Sequence, residues 1–340
     1  MAKKDIYKRA SGCLFGLAFG DALGADTEFL DIDSIQKKYG TQGPDKLHGD
    51  PARVTDDTQM TLAVGDSLLA AERPYNADTL EEPLRSAFVA WNNSPDNNRA
   101  PGNTCLQACE GLARNLPWHN ATVLSSKGCG ANMRVAPVGL LHANQEDVTP
   151  EHRAAIAQFQ AALTHGHPTA LVASDLTAWC IADLAAGGKI DDITSRLRAY
   201  ALSQRSLYHQ AWLGPLWQLS TSGTPQEFIE RGWEECLHVL GRIDAALQKP
   251  DRESDPCTQT GGGWIAEEAF ATGLLCFLLY PDEPVKAIQR AATTSGDSDS
   301  IACLTGAFAG AYLGLDAWPQ AWIERIEYRE HLARLGAAWD

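Results

Sequence analysis

Two stretches of this chain are unusually rich in small residues: GCLFGLAFGDALGA, residues 12–25, and CLTGAFAGAYLGL, residues 303–315. Glycine inside a helix costs roughly 1 kcal/mol against alanine. A helix therefore carries several glycines only where something must come close to its backbone, and in a globular protein that is usually another helix. The expectation is a central pair of touching helices that joins the two ends of the chain. No repeat of fixed period accompanies them, so no solenoid is indicated.

The rest of the chain reads as helical. Thr79 followed by Glu82 has the spacing of a capping box, and Leu80, Leu84, Phe88 and Trp91 form one helical stripe behind it. Thr149-Pro150 and Thr224-Pro225 each place a cap residue before a proline at the first helical position, and Asp282 with Pro284 opens a shorter helix. Runs of alternating β-branched residues and Asn-Gly hairpin turns between apolar segments are missing. The expected fold class is all-α. No linker divides the chain cleanly, so residues 1–340 are read as one domain with its core at about 10–320.

Charge and cysteine usage narrow the partners. The 28 basic against 43 acidic residues give a net charge of −15, which argues against non-specific binding to nucleic acid or to an anionic membrane. Nine cysteines, an odd number without a CxxC pair, read as reduced buried thiols. The longest apolar run, 274–280, is far short of a membrane span, and the charged N-terminus lacks a signal-peptide pattern. The expected location is the cytoplasm.

Two acidic clusters stand at expected helix starts: Thr55-Asp56-Asp57-Thr58 and Asp297-Ser298-Asp299-Ser300. Either alone is accounted for by capping and the helix dipole. Together they exceed what capping needs, because four converging carboxylates repel one another unless a cation sits between them. Hard divalent ions accept Asp oxygens and Ser or Thr hydroxyls. A pair of Mg²⁺ ions held by Asp56, Asp57, Asp297 and Asp299, with Thr55 and Ser300 completing the shells, fits this inventory. Asp299 is the natural bridging ligand. Asp21 and Glu28 lie two turns apart at the end of the first small-residue stretch, and Glu28 precedes Phe29 and Leu30, where a raised pKa would suit proton transfer.

The remaining motifs leave alternatives open. Gly128-Cys129-Gly130-Ala131-Asn132-Met133-Arg134 is an anion- or sugar-binding loop or a simple turn. Cys129 has no visible base to make it a nucleophile. His165 and His167 are zinc ligands or a junction between helices, and Trp264, after three glycines, flanks a nucleobase or seats itself in the core.

Taken in order, GDALGADTEF, TDDTQM, APGNT, GCGANMR, THGHPT, GGGWIAEEAF and GDSDS span residues 12 to about 315 and resemble the ADP-ribosylglycohydrolases of the dinitrogenase-reductase-activating type. The resemblance implies a compact helical fold with two Mg²⁺ ions (or Mn²⁺) held by Thr55, Asp56, Asp57, Asp297, Asp299 and Ser300. It implies catalytic roles for Glu28, Asp57 and Asp299. It places Cys129, Gly130, Ala131, Met133, Arg134, His165 and Trp264 around the ADP-ribose. Many members have Asn at the position of Cys129 and Thr at that of Ser300. The GCGA, THGHPT and GDSDS forms are most similar to the branch that releases ADP-ribose from arginine. The implied partner is an ADP-ribosylated protein. Some family members instead neutralise a cognate ADP-ribosyltransferase by binding it, which is the alternative function. Another alternative, a prenyl-diphosphate enzyme, is disfavoured because Asp56-Asp57-Thr58-Gln59-Met60 departs from DDxxD-like spacing.

Overall fold

The computed structural model describes residues 7–141 and 148–340. The start of the charged N-terminus, residues 1–6, lies outside them, so the expectation about a leader is not addressed. Among the described residues there is no strand; extended segments meet only in isolated bridges such as Val123 with His165 and Gly128 with Ile265. The fold class is all-α, as the capping pattern predicts.

The two small-residue stretches form the helices Arg9–Gly24 and Ser298–Leu313, buried along almost their whole length. They lie antiparallel and in backbone contact. Gly12 faces Gly310, Gly16 faces Gly306, Gly20 faces Ala302 and Gly24 faces Ser298. A Cβ on Gly12 would stand 2.7 Å from the Gly310 carbonyl oxygen, and the other three positions are tighter still. Antiparallel packing has one consequence for the site. The C-terminal end of the first helix, with Asp21, meets the N-terminal end of the second, with Asp297 and Asp299.

The surrounding helices follow from their caps and stripes. Thr149 and Thr224 accept backbone N–H groups of His152 and Glu227 and begin the helices Pro150–Ala162 and Pro225–Gln248. Pro284–Ala291 begins at its proline without a side-chain cap. In Ala77–Asn92 the stripe Leu80, Leu84, Phe88 and Trp91 is buried as expected. Its capping box differs from the expected one. Asn76 is the N-cap, accepting the Thr79 N–H at 3.0 Å, and Thr79 returns the bond to the Asn76 N–H at 2.9 Å. Thr79 is thus the third helical residue, and Glu82 is left to accept from Ser86. One apolar cluster runs from Ala10 to Trp339 and holds most of the core. All nine cysteines are free. No described helix is long and apolar enough to cross a membrane.

Candidate active site: an acidic cleft

The helix Asp56–Ala70 starts at the end of the glycine seam. Its N-cap, Thr55, accepts the Asp57 N–H through its hydroxyl at 3.4 Å. The start is fixed from outside by Asp21, whose carboxylate accepts the Thr55 N–H at 2.9 and 3.0 Å, the Thr55 hydroxyl at 2.8 Å and the Thr58 N–H at 3.0 Å. Asp297 is in turn the cap residue of Ser298–Leu313, accepting the Ser300 N–H at 3.4 Å. Both acidic clusters are therefore helix starts, and they converge. The Thr55 hydroxyl lies 3.4 Å from Asp57 Oδ2 and 3.5 Å from Asp299 Oδ2.

These side chains form the floor of a cleft of about 390 Å³. Asp56, Asp57, Asp297, Asp299 and Ser300 line it and are almost wholly buried, while Glu28 is half-buried at its side. Glu28, Asp297 and Asp299 each bring a carboxylate oxygen within 4.8 Å of the others. Glu28 does not reach this position on a helix as the spacing with Asp21 predicts. The helix ends at Gly24, and Glu28 stands in the turn that follows, because Thr27 pins that turn through its hydroxyl to Gly24 O at 2.9 Å and Ala292 O at 2.7 Å.

Unneutralised carboxylates this close cannot all ionise at neutral pH. Burial, and then Asp299, push Asp56 up to about 8 and Glu28 up to about 9. The same two causes hold Asp57 and Asp297 well above the usual carboxylate range. Asp57 Oδ1 is buried with no hydrogen-bond partner among the described residues. A buried acceptor without a donor is costly. An all-oxygen donor set with an orphaned carboxylate oxygen fits hard divalent cations, which would neutralise the cluster and supply the missing partner. The acids of both clusters, with Thr55 and Ser300 beside them, are the residues positioned to hold such ions.

The glycine loop forms another part of the cleft lining. Gly128, Cys129, Gly130 and Met133 line the cleft, with His165 behind them. The loop is strapped to the helix Ala266–Leu279: Lys127 O accepts the Ala266 N–H at 2.8 Å, and Lys127 Nζ bonds Glu267 at 2.6 Å and Glu235 at 2.7 Å. Two N–H groups that a phosphate-binding loop would offer are already used within the fold. That of Gly128 goes to Ser126 Oγ and that of Cys129 to Trp264 O. The Cys129 thiol donates to Asp297 Oδ2 at 2.8 Å, and burial and the negative charge of Asp297 push its pKa well up. A thiol so protonated is no nucleophile.

His165 is buried, with Nδ1 bonded to Thr164 Oγ1 at 2.8 Å; burial, then the Arg134 charge, drop its pKa to about 3, so it is neutral. His167 is a helix cap, accepting the Thr169 N–H at 3.2 Å. Three residues of the loop do not line the cleft: Asn132 is fully buried, its amide donating to Ala266 O at 3.0 Å, and Ala131 and Arg134 are the others. Ala131 is fully buried, and Arg134 turns its guanidinium into the core, over the Phe88 ring and onto Gln160 and Thr164. Arg134 braces the segment below the loop instead of meeting a ligand.

Trp264 is not a core residue: it is 48% exposed and lies at the cleft, stacked at 6.3 Å on Phe29, which is 71% exposed. The preceding glycines fix the chain there. Gly262 O accepts the Asp297 N–H at 2.8 Å, and Gly263 has φ +79° where a Cβ would meet Ile301 at 2.7 Å. Phe29, Asp21 and the 100–104 segment join the residues that the sequence assigns to the site. Gly102 comes from that segment to donate its N–H to Asp56 Oδ2 at 3.4 Å. The sequence marks that segment as the APGNT motif of the family resemblance, and marks Asp21 as an acid at the end of a glycine-rich stretch.

The model of the ADP-ribosylglycohydrolase family matches residues 2–339. The chain is 27% identical to an ADP-ribosyl-[dinitrogen reductase] glycohydrolase of Rhodospirillum rubrum, over 97% of this chain and 94% of that one. It is 25% identical to the ADP-ribosylarginine hydrolase Tri1 of Serratia proteamaculans, over 98% and 79%. Among solved structures, an ADP-ribosylglycohydrolase-related protein complex superposes with a TM-score of 0.65 at 25% identity, covering 98% of this chain and 97% of that one. A match along the whole chain, with the acidic cleft at its centre, makes this protein a member of the ADP-ribosylglycohydrolase family.

Proposed function

We propose that this protein hydrolyses the N-glycosidic bond between ADP-ribose and an arginine side chain of a modified protein, with two Mg²⁺ ions, or Mn²⁺ in their place. The observation that supports it most is the convergence of Asp56, Asp57, Asp297 and Asp299, from two helix starts more than 200 residues apart, on one cleft floor beside Glu28. Thr55, Asp56, Asp57, Asp297, Asp299 and Ser300 are the proposed holders of the ions. When bound, the cation pair supplies charge neutralisation and electrophilic polarisation at the floor of the cleft.

The chain's own residues do the rest. Glu28 stands at the side of the floor and keeps contact with solvent, so it can exchange a proton with water and with a substrate in the cleft. We assign it the proton transfer of the reaction: with its acidic neighbours neutralised by held cations its carboxylate would ionise, take a proton from the attacking water as the new C–O bond forms, and return it to the guanidine nitrogen as the C–N bond breaks. Asp57 and Asp299 line the same cleft, and we assign them the stabilisation of the positive charge that an oxocarbenium-like transition state develops. Met133, Cys129, Gly130 and neutral His165 shape part of the cleft, and the Phe29–Trp264 pair, its ring centroids 6.3 Å apart, offers flat apolar surface to the nucleotide. An arginine acceptor is favoured by the relative named for that activity and by the GCGA, THGHPT and GDSDS forms.

The test is a panel of arginine-, serine- and cysteine-linked ADP-ribosyl conjugates with Mg²⁺, with Mn²⁺ and with EDTA. Release of ADP-ribose from the arginine conjugate alone, lost in EDTA, is the expected result. Equal release from the serine conjugate overturns the acceptor, and undiminished release in excess EDTA overturns the metal requirement. A protein acting by occlusion would instead inhibit an ADP-ribosyltransferase stoichiometrically without turnover.

A further inference from the structure

A second cavity, of about 370 Å³, shares no lining residue with the acidic cleft. Arg252, Lys286 and Arg290 contribute to its wall, against one acid, Glu253. Three cations gathered in a chain of net charge −15 call for a reason.

Arg290 gives the strongest indication. It is only 7% exposed and stands at the end of the helix Pro284–Ala291. One guanidinium nitrogen donates to Thr293 O at 3.2 Å, while Nε and Nη2 have no partner among the described residues. A buried cation left without a counter-charge is destabilising by several kcal/mol. The nearby acids do not supply one. Asp251 feels the Arg290 charge, but its exposed carboxylate is taken by the N–H groups of Glu253 and Ser254, at 2.8 and 3.0 Å, and by the Ser254 hydroxyl. Arg252 spends Nε and Nη2 on Leu279 O, at 3.1 and 2.9 Å, and lies over the Tyr280 ring. That keeps its charge at the cavity without a carboxylate partner. Lys286 reaches Glu283, the residue just before its own helix, and both ends of that pair are more than half exposed, so the pair is weak and exchangeable.

We propose that this cavity binds a phosphate-bearing small molecule, with Arg290 as the buried charge partner and Arg252 and Lys286 at its sides. Arginine suits phosphate oxygens because its planar fork presents several N–H groups at once. The volume is that of a small-molecule site and exceeds a single phosphate group. The inference is independent of the reaction proposed for the acidic cleft.

The test is calorimetric titration of the full chain with inorganic phosphate, in EDTA and at fixed ionic strength. The expected result is saturable binding at one site, unchanged in Asp299→Ala, weakened at least tenfold in Arg252→Gln and in Lys286→Gln, and lost in Arg290→Gln. Lys286 is more than half exposed, so Lys286→Gln keeps the test valid where Arg290→Gln fails to fold. Absence of saturable binding overturns the proposal, as does loss of binding in Asp299→Ala or unchanged affinity in both Arg252→Gln and Lys286→Gln. Citrate binding as tightly as phosphate overturns the assignment to phosphate.

Discussion

Asp21 accepts the backbone N–H of Thr55 at 2.9 Å, so the end of one helix caps the start of another. The acceptor is fully buried, and burial, then Asp299, push its carboxyl up to about 7. It donates nothing to the cleft surface and is a positioning residue for Asp56 and Asp57. Removing a group that orients metal-holding side chains typically costs 10–100-fold in metal affinity or activity. Asp21→Ala is therefore expected to raise the Mg²⁺ concentration needed for half-maximal ADP-ribose release by about that factor. Partial rescue at high Mg²⁺ separates this role from a catalytic one, whose loss added metal does not repair.

Asp57 and Asp299 bear directly on the floor. Asp57→Ala and Asp299→Ala are each expected to abolish ADP-ribose release while the far-ultraviolet circular dichroism stays that of a helical fold. EDTA is expected to do the same to the unaltered protein, reversibly on adding Mg²⁺. Retained turnover in both variants rejects the proposed roles of these acids.

Cys129 touches Asp297, yet it is assigned no chemistry. Its thiol donates a hydrogen bond to the Asp297 carboxylate at 2.8 Å, and burial and that negative charge keep it protonated. Cys129→Ala is expected to keep most of the ADP-ribose release, with kcat within a few-fold. Complete loss in a folded variant makes the thiol essential.

These roles divide by how far the sequence shows them. Capping chemistry is local, so the helix starts at Thr149-Pro150 and Thr224-Pro225 are legible from a few residues. The two acidic clusters are legible for the same reason, and the small-residue stretches say that their helices touch. Glu28 is legible as an acid beside apolar residues, but its place in a turn is not, because that depends on Thr27 reaching Ala292, a contact across 265 residues. Arg134 misleads: a charged residue beside a glycine loop reads as a ligand contact, and only the buried acceptors Gln160 and Thr164 show why it turns inward. Trp264 depends on its partner, since Phe29 lies far away in the chain and nothing local marks the two as a pair.

The glycine seam makes a stability prediction. A side chain on Gly306 would overlap the backbone of Gly16. Overpacking usually costs about 1–3 kcal/mol, and more where a backbone must move. Gly306→Leu is expected to lose at least about 3 kcal/mol in urea unfolding, or to fail to fold. Gly241 is the contrast: it lies within Pro225–Gln248, and a Cβ there comes near only Arg198, at 3.9 Å. Gly241→Ala is expected to gain roughly 0.5–1 kcal/mol from helix propensity. Similar losses in both variants would show that the close approach of the two helices is not what the seam glycines serve.

Asp175 makes a pH prediction away from the cleft. It is buried, accepting the Tyr200 hydroxyl at 2.6 Å and the Gln158 amide at 2.9 Å, and burial outweighs those bonds to raise its pKa to about 6. The unfolded chain ionises Asp near 3.9. The fold therefore favours the protonated acid, and the unaltered protein loses stability as pH rises from about 4 to about 6, with the penalty complete above that. Asp175→Asn cannot ionise, so it escapes the penalty while keeping an acceptor for Tyr200. Urea unfolding of both proteins in one buffer series is expected to show the stability difference moving in the variant's favour between pH 4 and pH 7. Taking the difference cancels the titration of the cleft acids, which both proteins share. A difference that stays flat over that range, or that moves toward the unaltered protein, shows that Asp175 is ionised in the fold at no cost and that its two donors outweigh burial.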